Sequence, residues 1–311
     1  MVTTFAVVGD LSLDIVVAQS GPQREGSDVP ATIRIGPGGQ GANVAVRLAR
    51  QGAEAALVSP LADDAGGRLL REALQAEELA LRPLPAMRST VVLALLDETG
   101  DRTMFSDRQT LDAEAVAPAI AEAGWVHCSG YPLLDDRTGD RLAEILGARR
   151  AGTRLSVAGG SVPPEPARVA RLRLRLTAAR PDLLLVSSDE AESMLTMRAA
   201  SGLAAAHALR DLALVIVVTS GADGSAAVAG EMELELPAVE LPGPMLDSTG
   251  AGDAFLAAML VELAGARSWP PSGTLLRTAM QRGSLLGSQV ARVLGAQGRA
   301  PAEVARPAAT R

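Results

Sequence analysis

The stretch from Asp247 to Asp253 has the residue types and spacing best suited to chemistry. It reads DSTGAGD and leads directly into the apolar, alanine-rich segment 254–260. Glycines ahead of a helix leave backbone N–H groups unpaired at its N-terminus, where hydrogen bonds and the helix dipole favour an anion. Without a Cβ, a phosphate can approach the backbone closely. A carboxylate at Asp253 would lie beside that anion and could accept a proton from an attacking hydroxyl. A helix cap with a simple turn is the alternative, and the combination of features favours the anion site.

A second glycine-rich stretch, residues 36–45, reads GPGGQGANVA, and its glycines at 36, 38 and 41 have GxGxxG spacing. That spacing alone could indicate a dinucleotide-binding loop. Such a loop normally follows the first strand, whereas the first predicted strand here ends near residue 9. The acidic residue expected about 20 positions later is not convincing either, because Glu54 precedes its strand. A nucleotide-dependent oxidoreductase is therefore kept as a remote alternative.

Together the two stretches resemble the signatures of the ribokinase-like (PfkB) carbohydrate kinases. The family patterns are Gly-Gly-x-Gly-Ala-Asn-x-Ala and Asp-Thr-x-Gly-Ala-Gly-Asp, and Ser248 departs from the second. The resemblance covers about residues 5–299 and implies ATP-dependent phosphorylation of a hydroxyl on a sugar or sugar-like molecule. A nucleoside or phosphosugar kinase of the same family is the alternative, and a non-catalytic sugar or nucleotide sensor is a remote one. Retention of Asp253 argues against a sensor, since a pure binder needs no base.

The resemblance also implies roles for individual residues. Asp253 would be the catalytic base, and the N–H groups of three neighbours would stabilise the transferred phosphoryl group: Gly250, Ala251 and Gly252. The implied substrate-binding residues are Asp14, Gly38, Gly39 and Asn43. The implied nucleotide-binding residues are Ser187, Thr219, Gly221, Gly224 and Ser284. The cofactors would be ATP and Mg²⁺, the latter held through water by Glu190, with K⁺ as a candidate monovalent cation at Asp247.

Several positions depart from the family pattern and leave the acceptor open. Ser12 stands where the family has an Asn two residues before the Asp, and Gln40 stands where ribokinases commonly carry Lys. Ser187 replaces an Asn, which puts its nucleotide contact in doubt. Glu190 could equally be a first-turn helix charge that favours the dipole, and Asn43 a helix N-cap.

For two further pairs of residues, we favour a structural or solvated role over a functional one. Arg102 and Arg108 lie in or beside a predicted hairpin and could contact a phosphate already on the substrate. Arginines on a hairpin are more often solvated, so we expect surface charges there. His127 and Cys128 lie in a predicted strand, and we expect them to pack in the core.

The elements that must position these motifs alternate between strand and helix. Predicted strands lie at 5–8, 55–58, 125–129, 154–157, 183–186 and 214–219. Predicted helices lie at 42–51, 66–81, 138–150 and 189–195. This alternation predicts an α/β fold, with a central, mainly parallel sheet flanked by helices. Segments at about 11–35 and 88–109, including a hairpin of 90–96 and 102–105 with its turn at 97–101, do not fit that rhythm. We expect them to form a small β-sheet lid inserted in one ribokinase-like domain, residues 1–311.

Composition narrows the possible function classes. The 311 residues are 48% hydrophobic and 21% charged, with a net charge of −7, which is typical of a globular protein and argues against nucleic-acid or anionic-membrane partners. The chain contains no lysine, one cysteine and two histidines, which excludes lysine-based phosphate binding, an internal disulfide and a cysteine-based zinc cluster. The apolar runs are strand-sized and too short to span a membrane, so we expect a cytoplasmic protein. The resemblance implies a small-molecule substrate. A homodimer through exposed lid strands is as compatible with the sequence as a monomer.

Overall fold

Short runs rich in valine, leucine and alanine form the strands of this protein. The computed structural model describes residues 3–21, 26, 28–96, 102–300 and 303. The strands within these residues lie at Thr4–Val8 (β1), Ser12–Gln19 (β2), Ala31–Gly38 (β3), Glu54–Leu61 (β4), Ala80–Pro85 (β5), Thr90–Leu96 (β6), Arg102–Asp107 (β7), Trp125–Cys128 (β8), Arg154–Ala158 (β9), Leu183–Ser187 (β10), Val215–Thr219 (β11), Ser225–Ala229 (β12) and Met232–Leu236 (β13).

The helices connect the strands of the larger sheet. They lie at Gln40–Arg50 (α1), Ala65–Ala76 (α2), Ala113–Ile120 (α3), Gly130–Leu134 (α4), Gly139–Gly147 (α5), Pro166–Ala179 (α6), Ser188–Leu195 (α7), Gly202–Ala208 (α8), Ala251–Leu263 (α9) and Gly273–Val290 (α10), with a 3₁₀ turn at Gly221–Asp223. None of the helices within the described residues is long and apolar enough to span a bilayer.

The described residues form a larger sheet of nine strands in the order β13-β12-β11-β10-β9-β8-β1-β4-β5. Neighbours from β11 to β5 pair in parallel, and β12 and β13 add an antiparallel edge. Alternate residues of β1 belong to opposite cores, Ala6 and Val8 to one and Phe5 and Val7 to the other. Both faces of the sheet are therefore covered by helices, which confirms the predicted α/β architecture.

A separate sheet holds the remaining four described strands in the order β3-β2-β6-β7. Strand β2 pairs antiparallel with β3 and parallel with β6, and β6 pairs antiparallel with β7. These strands come from the two segments that were expected to form a lid. The predicted hairpin turn at 97–101 lies outside the described residues.

Several predicted element boundaries are wrong: the helix predicted for 138–150 ends at Gly147, and the strand predicted for 55–58 continues to Leu61. The helix predicted for 66–81 is two elements, because α2 ends at Ala76 and the chain turns through Glu78, whose φ of 53° is left-handed. Strand β5 follows and pairs with β4 at the sheet edge, where Pro83 and Pro85 are tolerated because an edge strand has an unpaired side. The helix after the first glycine cluster begins at Gln40 rather than residue 42, since β3 continues through Gly38.

Candidate active site

The glycine-rich segment before α9 has the geometry of an anion site. Gly250 is the N-cap with a φ of 79°, and a Cβ there would lie 2.7 Å from the carbonyl oxygen of Ala296. The N–H of Ala251 donates to the carbonyl of Ser248 at 3.2 Å. Within the described part of the chain, the N–H groups of Gly252 and Asp253 have no acceptor, and the space beside the Cα of Gly252 is open. A phosphate can therefore approach two free donors at the positive end of a 13-residue helix.

Asp253 lies in the first turn of α9 and is held from the side by α1. The Nδ2 of Asn43 donates to its Oδ2 at 2.8 Å. Burial raises the pKa of the Asp253 carboxyl to about 7, and the Asn43 hydrogen bond opposes that rise. The negative charges of Asp10 and Glu190 raise the pKa further, and the positive charge of Arg47 lowers it. A carboxyl with a pKa near neutrality is well matched to accept a proton at physiological pH.

The first glycine cluster allows α1 to approach the end of β1. A Cβ on Gly41 would lie 2.7 Å from the Cα of Gly9, and Gly39 has a φ of 99° that favours glycine. A Cβ on Gly38 would lie 1.9 Å from Oδ2 of Asp14. The glycines are therefore required for close contact between the lid strand, the end of β1 and the helix that carries Asn43.

Asp14 is held on β2 by its neighbour on the same strand. The hydroxyl of Ser12 donates to Oδ1 of Asp14 at 2.6 Å. Burial raises the pKa of the Asp14 carboxyl to about 6, and the Ser12 hydrogen bond opposes the rise. Ser12, the departure from the family pattern, is thus a direct partner of the predicted substrate-binding carboxylate.

A cavity of about 340 Å³ opens between the lid and the carboxyl ends of β1 and β8. Arg108 and Tyr131 form part of its wall, with the guanidinium 3.6 Å from the centre of the phenol ring. Arg108 also donates to Oδ2 of Asp10 at 2.9 Å, and its side chain is 25% exposed. The expectation of a solvated surface charge is therefore wrong for Arg108, because stacking and an ion pair hold it inside the cavity. The side chain of Arg102 lies outside the described part of the structure.

The predicted nucleotide loop follows β11, as expected. It passes through Thr219 and the 3₁₀ turn, with left-handed φ values of 56° at Gly221 and 95° at Gly224. A Cβ on Gly224 would lie 2.1 Å from the carbonyl oxygen of Leu236. Ser284, on α10, accepts a hydrogen bond from the N–H of Val239 at 2.9 Å. The Ser284 hydroxyl therefore also holds the chain segment after β13.

Ser187 and Glu190 form a capping box at the start of α7. The hydroxyl of Ser187 accepts from the N–H of Glu190 at 3.2 Å, and Oε2 of Glu190 accepts from the N–H of Ser187 at 2.8 Å. Burial raises the pKa of the Glu190 carboxyl. This is the helix-start role that was weighed as an alternative, and the charge of Glu190 nevertheless acts on Asp253.

Asp247 joins two loops beside the N-terminus of α9. Its Oδ1 accepts from the N–H of Thr249 at 2.9 Å, and its Oδ2 accepts from the N–H of Gly295 at 3.0 Å. The N–H of Leu246 donates to the carbonyl of Ala291 at 2.8 Å. Within the described residues, no group of three or more His, Cys, Asp and Glu side chains could hold a metal ion.

Several residues of the site were not predicted. Asp10, two residues after the end of β1, accepts hydrogen bonds from Arg108 and from the N–H of Gly41. Gln297 contacts Asn43 through its side chain. The position of Asp10 after a buried strand is a signal that could have found it, since ligands bind at the carboxyl ends of parallel strands.

His127 and Cys128 are fully buried, as expected. The Nδ1 of His127 is 3.1 Å from the hydroxyl oxygen of Ser156. Burial lowers the pKa of His127 to about 3 and raises the pKa of the Cys128 thiol. Both side chains therefore stay neutral and serve packing.

Comparisons with known proteins show which family this chain resembles. A model of the pfkB family of carbohydrate kinases matches residues 2–303. The aminoimidazole riboside kinase of Salmonella typhimurium is 30% identical over 308 residues, covering 93% of this chain and 89% of that protein. A fructokinase of Salmonella typhimurium is 29% identical over 301 residues, covering 93% of this chain and 94% of that protein.

A solved structure shares the fold. Arabidopsis thaliana ribokinase, determined with ribose and ATP, matches with a TM-score of 0.77 at 21% identity, over 96% of this chain and 95% of that one. This likeness confirms the predicted ribokinase-like fold. The GxGxxG spacing lies at the end of β3 in the small sheet rather than after a strand of the larger sheet, which argues against the dinucleotide-binding alternative.

Proposed function

Since the chain belongs to the pfkB family of carbohydrate kinases, which are phosphotransferases, we propose that it transfers the γ-phosphoryl group of ATP to a hydroxyl of a sugar or sugar-like acceptor, with Asp253 as the catalytic base. The observation that carries the assignment of the base is its position. Asp253 combines a carboxyl pKa of about 7 with a place beside free N–H donors at the start of α9. A proton acceptor and a phosphate-binding site thus share one helix turn.

The residues at this site fit a bound Mg²⁺–ATP. The free N–H groups of Gly252 and Asp253 and the open space beside Gly252 suit the phosphate oxygens. The carboxylates of Asp10 and Glu190 act on Asp253 electrostatically, and a cation in the same region would offset their repulsion. When bound, Mg²⁺ would neutralise charge on the β- and γ-phosphates, with Glu190 contacting it through water.

Asp253 would take the proton from the acceptor hydroxyl while that oxygen attacks the γ-phosphorus. The N–H groups at the start of α9, assigned from Gly250 to Gly252, would hold the negative charge of the transferred group. Because the N–H of Ala251 already donates to Ser248 at 3.2 Å, that donor has to be shared or released on binding. The lid sheet would limit access of water and thereby limit hydrolysis of ATP.

We assign the acceptor to the space between Asp253 and the cavity under the small sheet, whose wall includes Asp10 and Arg108. Asp14, Gly38, Gly39 and Asn43 would contact the hydroxyls of the acceptor. They do not line this cavity, and the segment 39–43 adjoins it through contacts with Asp10. The nucleotide would lie on the other side of Asp253, against Thr219, Gly221, Gly224, Ser187 and Ser284. Arg108 and Tyr131 in the cavity wall are suited to contact an acceptor with an anionic or planar group. The test therefore includes nucleosides and phosphosugars.

Asp247 is the carboxylate that we propose for a monovalent cation. It links the loop before α9 to the loop after α10 through two N–H donors. A cation there would stabilise the loop that ends in the N-cap Gly250. The expectation is higher kcat in K⁺ than in an equal concentration of Tris cation, and equal rates in the two buffers would remove this part of the proposal.

We also propose that two copies pair through the lid. Directly opposed residues Ile35, Ile15, Leu93 and Phe105 lie in one row across the four lid strands. Ile35 is 61% exposed and Phe105 is 57% exposed, and an exposed apolar sheet face of this kind favours association. The face that carries Asp14 is the opposite one, so pairing would leave the cavity open to the acceptor.

Light scattering of the purified protein tests the dimer. Ile35→Asp is expected to give a monomer, whereas Leu174→Asp, at an exposed leucine on α6, leaves the molecular mass unchanged. A monomeric wild-type protein would contradict the pairing. Because the reaction consumes ATP, we further propose a cytoplasmic location, which cell fractionation tests.

The proposed reaction is tested by ADP release from Mg²⁺–ATP across a panel of sugars, nucleosides and phosphosugars. We expect at least one acceptor to stimulate ADP release, with the stimulation lost in Asp253→Asn. Fluorescence titration with NADH in the same preparation tests the oxidoreductase alternative and is expected to show no binding. ADP release that no acceptor stimulates, or that survives in Asp253→Asn, would contradict the proposal.

A further inference from the structure

Two side-chain hydrogen bonds in series connect Gln297 to Asp253. The Nε2 of Gln297 donates to Oδ1 of Asn43 at 3.1 Å, and Nδ2 of Asn43 donates to Oδ2 of Asp253 at 2.8 Å. The three residues come from the loop after α10, the first turn of α1 and the first turn of α9. We propose that Gln297 is a positioning residue: by fixing the amide of Asn43, it holds the Asp253 carboxylate in the orientation that accepts the proton. The catalytic meaning of this inference rests on the proposed function.

The two ends of the Asn43 amide differ in hydrogen bonding, because the nitrogen donates and the oxygen accepts. Asn43 is 5% exposed, so water is largely excluded as a substitute partner. Its Nδ2 can donate to a carboxylate, whereas its Oδ1 facing the same carboxylate would place two acceptors together. The donor of Gln297 requires Oδ1 on its side. The two hydrogen bonds therefore select the same orientation of Asn43, in which the donor points at Asp253.

Gln297 itself is held by the backbone on which it lies. The carbonyl of the preceding residue, Ala296, accepts from Nη2 of the buried Arg47 at 2.8 Å. The same carbonyl oxygen would lie 2.7 Å from a Cβ on Gly250. This loop is therefore packed between α1 and the N-terminus of α9, the two elements that carry Asn43 and Asp253.

This arrangement separates the two oxygens of the base. Oδ2 of Asp253 is occupied by Asn43, and in the described residues no donor reaches Oδ1. Oδ1 is then the atom left for the acceptor hydroxyl. The charged groups that act on this carboxyl are Asp10 after β1, Glu190 on α7 and Arg47 on α1. The Asn43 hydrogen bond lowers the pKa of Asp253 against the effect of burial, so loss of that bond would raise the pKa.

The test compares Gln297→Met with a matched control, Gln51→Met. Methionine keeps the length of the side chain and removes the donor. Gln51 lies at the other end of α1, where its Nε2 donates to the carbonyl of Arg47 at 3.0 Å. In Gln297→Met we expect the pKa on the acidic limb of kcat/KM to rise by about 0.5 unit, the part of a weak hydrogen bond transmitted through Asn43. We expect kcat at pH 7 to fall by about twofold, because that rise in pKa halves the ionised fraction of Asp253, with KM for ATP unchanged.

A second variant separates the hydrogen bond from simple packing. Gln297→Lys retains a donor for Oδ1 of Asn43, and we expect its pH profile to lie at or below the wild-type pKa. Equal shifts in Gln297→Met and Gln51→Met, or equal shifts in Gln297→Met and Gln297→Lys, would overturn the proposal. Thermal unfolding of each variant shows whether the protein is folded.

A measurement without turnover makes the two proposals distinguishable. The titration of Asp253 can be followed in the free protein by NMR of ¹³C-carboxyl-labelled aspartate, with the signal assigned by its loss in Asp253→Asn. A higher pKa in Gln297→Met than in Gln51→Met supports the action of Gln297 on Asp253, whichever acceptor is found. An unchanged pKa overturns it. If the titration shifts while no acceptor is phosphorylated, the failure belongs to the proposed function.

Discussion

Replacing Asp253 by asparagine is expected to slow phosphoryl transfer strongly and, at pH 8, to make the folded protein more stable. In the wild type, burial raises the pKa of the Asp253 carboxyl from 3.8 to about 7. Folding at pH 8 therefore places a carboxylate where its charge is unfavourable. Asparagine has nearly the same shape, can still accept the hydrogen bond from Asn43 and carries no charge.

The size of the effect follows from the pKa difference. About three pKa units correspond to roughly 4 kcal/mol, since each unit is about 1.4 kcal/mol. Asp253 is partly exposed at its surface, and solvent screening reduces such a contribution. We therefore expect the free energy of unfolding at pH 8 to be about 1–3 kcal/mol higher in Asp253→Asn than in the wild type.

The sign of the pH dependence is fixed by the direction of the shift. Below the unfolded value of 3.8, Asp253 is protonated in both states and contributes no difference. Between 3.8 and about 7 the unfolded chain has lost the proton while the folded protein retains it, so wild-type stability falls as pH rises. Above about 7 the loss is complete. The raised pKa values of Asp14 and Glu190 are present in both proteins and cancel in the comparison.

Urea unfolding at pH 4.5 and pH 8.5 measures this effect. The stability difference between Asp253→Asn and the wild type should grow from the lower to the higher pH by about 1–3 kcal/mol. Asp63→Asn, at an exposed aspartate of the loop before α2, is the control and should show no such growth. If the Asp253→Asn difference is the same at both pH values, the carboxyl is not held at a raised pKa and the reasoning fails.

Three further substitutions test other parts of the site. Gly250→Ala should lower kcat at least tenfold and destabilise the protein by about 1–3 kcal/mol, because φ is left-handed there and the new Cβ meets the carbonyl of Ala296. Urea unfolding and steady-state kinetics measure the two effects, and wild-type values in both would refute the tight N-cap. Glu303→Leu should cost about 3 kcal/mol in urea unfolding, since it leaves the buried guanidinium of Arg47 without its carboxylate; a loss below about 1 kcal/mol would contradict this. Arg108→Leu should raise KM for the acceptor about tenfold through loss of a charged contact in the cavity, with KM for ATP unchanged. An equal rise in both constants would contradict a specific contact between Arg108 and the acceptor.

The larger sheet was predictable because its strands are short apolar runs, and β10 and β11 lie close to their predicted positions. The boundary between α2 and β5 was not predictable from the sequence. Residues 66–81 are rich in alanine, leucine, arginine and glutamate, and the left-handed turn at Glu78 has no glycine to mark it. Strand β5 forms because β4 offers an edge for pairing, which is a tertiary effect that local propensity does not contain.

In the candidate site, too, the residue types were predictable and their packing partners were not. Asp253 and Asn43 were singled out from motifs about 210 positions apart, yet their hydrogen bond depends on how α1 and α9 pack. The contact of Arg108 with Asp10 and Tyr131 likewise joins three separate segments of the chain. Motifs predicted which residue types would do chemistry, whereas the partners that set charge and orientation come from packing between elements.

The most direct test of the account is transfer of the label from γ-³²P-ATP to an acceptor identified in the panel, measured in a single turnover. The wild type is expected to form labelled, phosphorylated acceptor. Asp253→Asn should bind ATP with unchanged affinity and transfer the label about 10²- to 10⁴-fold more slowly, the usual contribution of a positioned base. Transfer by Asp253→Asn at the wild-type rate would contradict the assignment of the base.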